Sequence, residues 1–105
     1  MIDARQYVIG KYIPFDFETI TVASIPIGLT ASKLASTPKP KKAFITVETS
    51  RVRYRMDGED DPSDTEGHIL DPMDTIVLEG YSQLNNTKFI RVATPSAVLR
   101  VTYLR

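Results

Sequence analysis

Between positions 51 and 70 the sequence RVRYRMDGEDDPSDTEGHIL gathers the residue types that most readily do chemistry. Three arginines, Arg51, Arg53 and Arg55, are followed by Asp57, Glu59, Asp60, Asp61, Asp64 and Glu66, and then by His68, the one histidine of the chain. A loop this rich in carboxylates suggests calcium, which takes roughly six to eight oxygen ligands. An EF-hand loop, however, needs glycine at its sixth position and glutamate at its twelfth. Here Gly58 comes second and position twelve, counted from Asp57, is His68. The motif fails. The reading of the residues is a solvated acidic loop, turned by Asp57-Gly58 and holding no metal, with a calcium site of another kind as the alternative.

His68 needs partners to be chemical. A catalytic histidine works with a nucleophile or an orienting carboxylate, and no GxSxG-like nucleophile motif accompanies it. A zinc site normally combines several histidines and cysteines, and the chain has no cysteine. His68 is therefore expected to be structural, at a junction of loop and strand. Neither GxxxxGK[ST] nor GxGxxG occurs, and spacing along a chain does not fix the carboxylate separation that a glycosidase requires. The expectation is a protein that is not an enzyme and carries no cofactor. Arg51, Arg53 and Arg55 remain candidates for partner contact, through phosphates or sulfated sugars, or through acids on a neighbouring strand or subunit.

The elements that would hold these residues show a period of two. Val52, Tyr54 and Met56 share one strand face and Arg51, Arg53 and Arg55 the other, as in a half-buried antiparallel strand. Ala43, Ile45 and Val47 alternate with Phe44, Thr46 and Glu48, and Ile76 and Leu78 with Thr75, Val77 and Glu79. Leu99, Val101 and Tyr103 alternate with Val98, Arg100 and Thr102. ETITVASI (18–25) and TKFIRVA (87–93) read as further strands. Turn signals separate the runs at Pro26 to Gly28, 37–40, Asp57-Gly58, Asp71-Pro72, Gly80, Asn85-Asn86 and Thr94-Pro95.

Together these predict an all-β, single-domain antiparallel β-sandwich over 1–105, immunoglobulin-like or jelly-roll-like, with one short helical turn near Ser32 to Ala35. Its core should join Val52, Tyr54, Ile76, Leu78, Leu99 and Val101. TPKPKK (37–42) reads as a basic, proline-punctuated surface loop. Residues 1–16, MIDARQYVIGKYIPFD, carry Tyr7, Val8, Ile9, Tyr12, Ile13 and Phe15. They form either a docking arm or, over 5–13, a first strand; Pro14 limits a long strand through them.

Composition narrows the class. A chain of 105 residues suits one domain, and 13 basic residues against 13 acidic ones leave no cationic excess for nucleic acid. The N-terminus lacks the apolar run of a secretory signal, and no stretch approaches the ~20 apolar residues of a membrane span. The absence of cysteine suits synthesis in a reducing cytoplasm.

The segments 45–80 and 87–105 resemble a group of small structural proteins of tailed phages and prophages. The resemblance rests on Ile45 to Thr49, Val52 to Gly58, Pro62-Ser63, Gly67 to Leu70, Asp74, Ile76 to Gly80, Phe89 to Arg91 and Leu99 to Tyr103. This chain departs from that pattern in its extra acid before Pro62 and in Asp71-Pro72-Met73-Asp74, where a glycine-aspartate turn is usual. The resemblance implies a virion component without catalysis, foremost a capsid decoration or cement protein bound to the major capsid protein or another virion protein, and also able to self-associate. A tail or neck component is the alternative. The YRMDG…P element also resembles a turn of immunoglobulin-like modules attached to glycoside hydrolases, which implies a carbohydrate-binding accessory module. The residues expected to meet a partner are Tyr7, Ile9, Tyr12, Ile13, Phe15, Arg51, Arg53 and Arg55; nucleic acid and membrane are not expected as partners. The protein would be made in the host cytoplasm and reside in the virion.

Overall fold

A computed structural model describes residues 12–105. The chain forms β1 (Pro14–Val22), β2 (Ile27–Gly28), α1 (Ala31–Leu34), β3 (Lys42–Glu48), β4 (Val52–Arg55), β5 (His68–Leu70), β6 (Thr75–Glu79), α2 (Tyr81–Asn86), β7 (Lys88–Arg91) and β8 (Ala97–Leu104). The strands make two four-stranded sheets, ordered β1-β8-β3-β6 and β2-β7-β4-β5. Every pairing is antiparallel.

The order has a simple logic. β1 pairs with β8, β2 with β7, β3 with β6 and β4 with β5, as in one long ribbon folded at the 56–67 loop. Rolling that ribbon up adds the pairings β3–β8 and β4–β7. This eight-stranded, double-sheet arrangement is a jelly roll. The strand order thus decides between the two sandwich types that the turn spacing left open, because immunoglobulin sheets group their strands differently.

Alternation along the strands places the core between the sheets. Val52, Leu78, Leu99 and Val101 are fully buried there, and Tyr54 and Ile76 pack against them partly exposed. β3 shows the pattern cleanly, with Ala43, Ile45 and Val47 buried and their neighbours half-buried. Contiguous burial of fully enclosed side chains such as these is what holds two small sheets together.

Three expectations change. The chain has left any arm by Ile13, which exchanges backbone hydrogen bonds with Arg105 at 3.0 and 2.9 Å, and Pro14 opens β1. Proline is tolerated because it is the first residue of an edge strand, where its missing N–H is not needed by a neighbour. A bulge between Pro14 and Asp16 absorbs the irregularity and lets Phe15 pack on the core. The rest of the proposed arm, 1–11, lies outside the described residues.

The basic loop also ends earlier than expected: Pro40 is buried, and Lys42 already belongs to β3. The Gly80-to-Asn86 region, read only as turns, contains helix α2. Its single buried residue, Leu84, gives no periodicity to read, and Thr87 closes the helix by donating its hydroxyl to the Gln83 carbonyl at 2.7 Å. The expected turn of helix at 32–35 is α1.

Leu99 and Thr102 test the strand phase. Leu99→Ala should cost about 2–5 kcal/mol of unfolding free energy in urea titrations, whereas Thr102→Ala, on the outward side, should cost about 0.5 kcal/mol or less. Equal losses would mean that the faces are assigned the wrong way round.

Candidate functional site

The acidic segment is tied to the sheet rather than extended into solvent. Arg53 stands on the outward face of β4, with Ile69 of β5 and Ile90 of β7 opposite it on either side. Its guanidinium donates to the carbonyls of Asp64 at 3.1 Å and Gly67 at 2.8 Å, so the loop folds back over the second sheet. Pro62 is buried in the folded-back loop, and with Ile90 it lines a hollow of about 500 Å³. Ser63 accepts the Glu66 and Thr65 amides at 3.0 and 3.2 Å and shapes the loop tip.

Three of the loop's acids, Asp57, Asp60 and Asp61, face basic side chains of the same chain. Arg55 pairs with Asp57 at 2.5 Å and approaches Asp60 at 3.9 Å; Lys88 meets Asp61 at 3.2 Å. Arg51 pairs with Asp71 at 2.5 Å. Gly58 (φ +71°) makes the turn, where an added Cβ would stand 2.8 Å from Asn86 Cγ. Among the described residues no three histidine or acidic side chains converge on a point where a metal ion could sit. His68 opens β5 and lays its ring against Tyr54, 5.3 Å between centroids, and Tyr54 in turn meets Phe89 at 5.9 Å. An open hollow of about 520 Å³ beside it is lined by Arg55, Asp57, Glu66 and His68.

A second polar cluster joins β1 to the loop before α1. The Tyr103 hydroxyl donates to Glu18, as do the Thr30 hydroxyl at 2.5 Å and the Thr30 amide at 3.4 Å. Burial and the bond to Glu18 push the Tyr103 hydroxyl well above the ordinary phenol range. Lys33 of α1 bridges to Asp16 at 3.0 Å. That lysine, with the Phe17 amide, holds the Asp16 carboxyl below the usual range, and Arg55 does the same for Asp57. Sequence separation hides this cluster: Glu18 and Tyr103 are 85 residues apart.

The third feature lies at one end of the sandwich, where two turns meet. Asp71-Pro72-Met73-Asp74 closes with the Asp74 amide on the Asp71 carbonyl at 2.9 Å. Proline second and positive φ third (Met73, φ +81°) is the pattern of a type II turn, whose third position favours glycine. Met73 is 82% exposed. Its amide donates to the Val47 carbonyl at 2.8 Å, and the Val47 amide donates to the Asp74 carbonyl at 3.0 Å, so the turn is fixed to β3. The adjoining turn is strained as well. Thr49 has φ +79°, and the Ser50 amide bonds the Glu48 carbonyl at 2.9 Å, a γ-turn of the rare positive-φ kind. Bulky residues at positive φ cost about 1–2 kcal/mol. They concentrate where the surrounding structure imposes them for function.

The residues singled out from sequence are thus scattered over the molecule. Tyr7 and Ile9 lie outside the described residues. Tyr12 is half-buried with its ring centre 4.6 Å from Lys42 Nζ, Ile13 is 55% exposed, and Phe15 packs on the core below Arg105. Arg51, Arg53 and Arg55 are engaged by the chain's own acids and carbonyls. Sequence reasoning passed over Met73, although its departure from a glycine-aspartate turn was the available signal. No protein-family model, curated protein or solved structure matches the chain.

Two measurements follow. Because the Asp16 and Asp57 carboxyls are depressed in the folded state, their contribution is present above the unfolded carboxylate range and is lost as pH falls below about 4. Thermal melts should therefore show a small loss of Tm as pH falls through the ordinary carboxylate range, about 4, and Asp16→Asn should reduce that loss. Met73→Gly should raise stability by about 0.5–1 kcal/mol, since glycine relieves the positive φ at a smaller entropic cost. A destabilised glycine variant would show that the turn is unstrained.

Proposed function

We propose that the protein is a non-enzymatic virion component, foremost a decoration protein that binds the assembled capsid shell through its Met73 turn. The observation that carries a contact role is Met73 itself. A large apolar side chain is held out in solvent, on a turn pinned to β3, in a backbone conformation that suits glycine better. Stability alone would favour glycine there, so the methionine is best explained by what it touches. Methionine is well suited to such contacts because its unbranched, polarizable side chain fills irregular apolar pockets. The virion assignment is supported by the resemblance of residues 45–80 and 87–105 to phage structural proteins. It is also supported by the jelly roll, an architecture used by viral capsid domains.

A decoration protein acts by mass action. It binds the assembled shell in preference to free subunits, and so stabilises the shell in proportion to its occupancy. Modest contacts suffice when neighbouring subunits present several at once.

The test is binding to purified particles lacking the protein, read by co-sedimentation and by the melting temperature of the shell. Bound protein should raise that temperature in a concentration-dependent way, with no binding to unassembled capsid subunits. Met73→Gly should weaken binding about tenfold or more, a loss on the order of 1–2 kcal/mol for a contact anchor, while the free variant melts higher. Wild-type affinity in the glycine variant would remove Met73 from the interface. Tight binding to tail tubes or glycans, with none to shells, would move the assignment to those partners.

A further inference from the structure

Sheet edges leave backbone donors and acceptors without neighbours, and folded proteins blunt them with short strands, proline, bulges or charge. Among the described residues one sheet ends in β1 and β6, the other in β2 and β5. Three of these edges are blunted. β1 opens on Pro14 and carries a bulge between Pro14 and Asp16. β2 has two residues and follows Pro26; β5 has three, between Gly67 and Asp71-Pro72. β6 differs. Its five residues, TIVLE, pair with β3 in unbroken register and include no proline, glycine or basic side chain.

The hydrogen bonds at its two ends fix which backbone groups face the open side. The Gly80 amide donates to the Lys41 carbonyl at 2.8 Å, and the Asp74 carbonyl accepts from the Val47 amide at 3.0 Å. Alternation between those ends turns Ile76 and Leu78 toward β3, and Thr75, Val77 and Glu79 away from it. The Glu79 amide shows this directly, because it takes the side-chain oxygen of Gln83 in α2 as its acceptor, at 2.8 Å. Among the described residues the outward amides and carbonyls of Thr75 and Val77 meet no partner. Val77 is 39% exposed, and Ile76, an inward side chain, is only partly buried.

We propose that β6 pairs antiparallel with β6 of a second copy, about a two-fold axis at Val77, so that two first sheets join into one. An open row of amides and carbonyls is complemented by another extended backbone, and this segment suits its own copy. Val77 meets its counterpart, Ile76 meets Leu78 of the second copy, and Thr75 meets Glu79. No like charges oppose each other: the two Glu79 side chains stand about 14 Å apart along the strands, and each lies opposite a threonine hydroxyl that can donate to it. The Thr75 carbonyl of the second copy replaces Gln83 as acceptor for the Glu79 amide, and Ile76 gains the cover it lacks. Pairing stops at the ends of β6, so the Met73 turn stays outside it, and the inference does not rest on the virion assignment.

The test combines sedimentation with amide hydrogen exchange on the full chain. Raising the concentration toward about 1 mM, where even a millimolar Kd populates the complex, should convert the 11.8 kDa monomer to dimer. Over the same range the Thr75 and Val77 amides should slow in exchange by about tenfold or more, while Ile76 and Leu78 stay slow throughout. Val77→Lys sets two like charges against each other on the axis and should weaken the dimer about tenfold or more, with the monomer still melting cooperatively. If that variant fails to fold, Val77→Cys decides. The chain has no cysteine, and a Cα separation of about 5.5 Å across a hydrogen-bonded pair suits a disulfide. Oxidation should link two copies through that position and not through Phe17→Cys on the far edge, where the side chain is 54% exposed. A monomer at every concentration, a dimer whose Val77 amide still exchanges fast, a Val77 amide already slow in the monomer, or equal crosslinking at both positions would overturn the proposal.

Discussion

Strand β8 pairs on both sides at once, and the first sheet depends on it. Arg105, just beyond its end, bonds toward Ile13, and the Leu104 carbonyl accepts from Lys41, so successive residues serve β1 and β3 alternately, as antiparallel ladders require. Its inward side chains Ala97, Leu99, Val101 and Tyr103 are all fully buried. The last strand of the chain is therefore central both in hydrogen bonding and in the core. Among the described residues β1 has no other strand partner, and its inner face, Ile20 and Val22, is enclosed only when β8 is in place. Such a topology is dominated by contacts between residues far apart in sequence, and folds of this kind form more slowly than local ones.

The second sheet meets a different requirement, the covering of an outward face that bears Ile90 between charged neighbours. Here the acidic loop does the work of a surface layer, anchored by Arg53 through carbonyl oxygens rather than through carboxylates. Hydrogen bonds from a charged donor to loop carbonyls fix position, while the exposed pairs Arg55–Asp57 and Lys88–Asp61 add little energy individually. Of the six carboxylates in this ten-residue segment, Asp57, Asp60 and Asp61 face Arg55 or Lys88, so part of the charge is met locally while the backbone is held by Arg53.

The legible and the hidden parts of the structure divide along one physical line. Alternation in 43–48, 52–56, 75–79 and 98–103 was readable because a half-buried strand writes its two faces directly into the sequence, and the sandwich followed. Its winding was not, since the order β1-β8-β3-β6 is a matter of which distant segments meet, and no local pattern encodes that. Helix α2 was hidden because one buried leucine in six residues makes no period. The arginines illustrate a subtler limit. Their outward placement was apparent at once, but their partners were the backbone carbonyls and acids of a loop whose path depends on the tertiary fold. At Met73 the signal was present in a single residue type, and it took the backbone angle to give it physical meaning.

The nested pairing has one more consequence. Ile13 and Arg105 are hydrogen-bonded neighbours, so both ends of the folded domain emerge at the same edge of the first sheet. The order in which the strands are strung is then separable from the way they pack. A short linker joining Arg105 to Tyr12 would make the backbone a closed ring, and the ring could be reopened in an exposed connection such as that between β1 and β2. The resulting circular permutant would keep every ladder of both sheets while moving β8 from last to an interior place in the strand order, and a fused domain could then be carried on the opposite side of the sandwich from Tyr12 and Arg105.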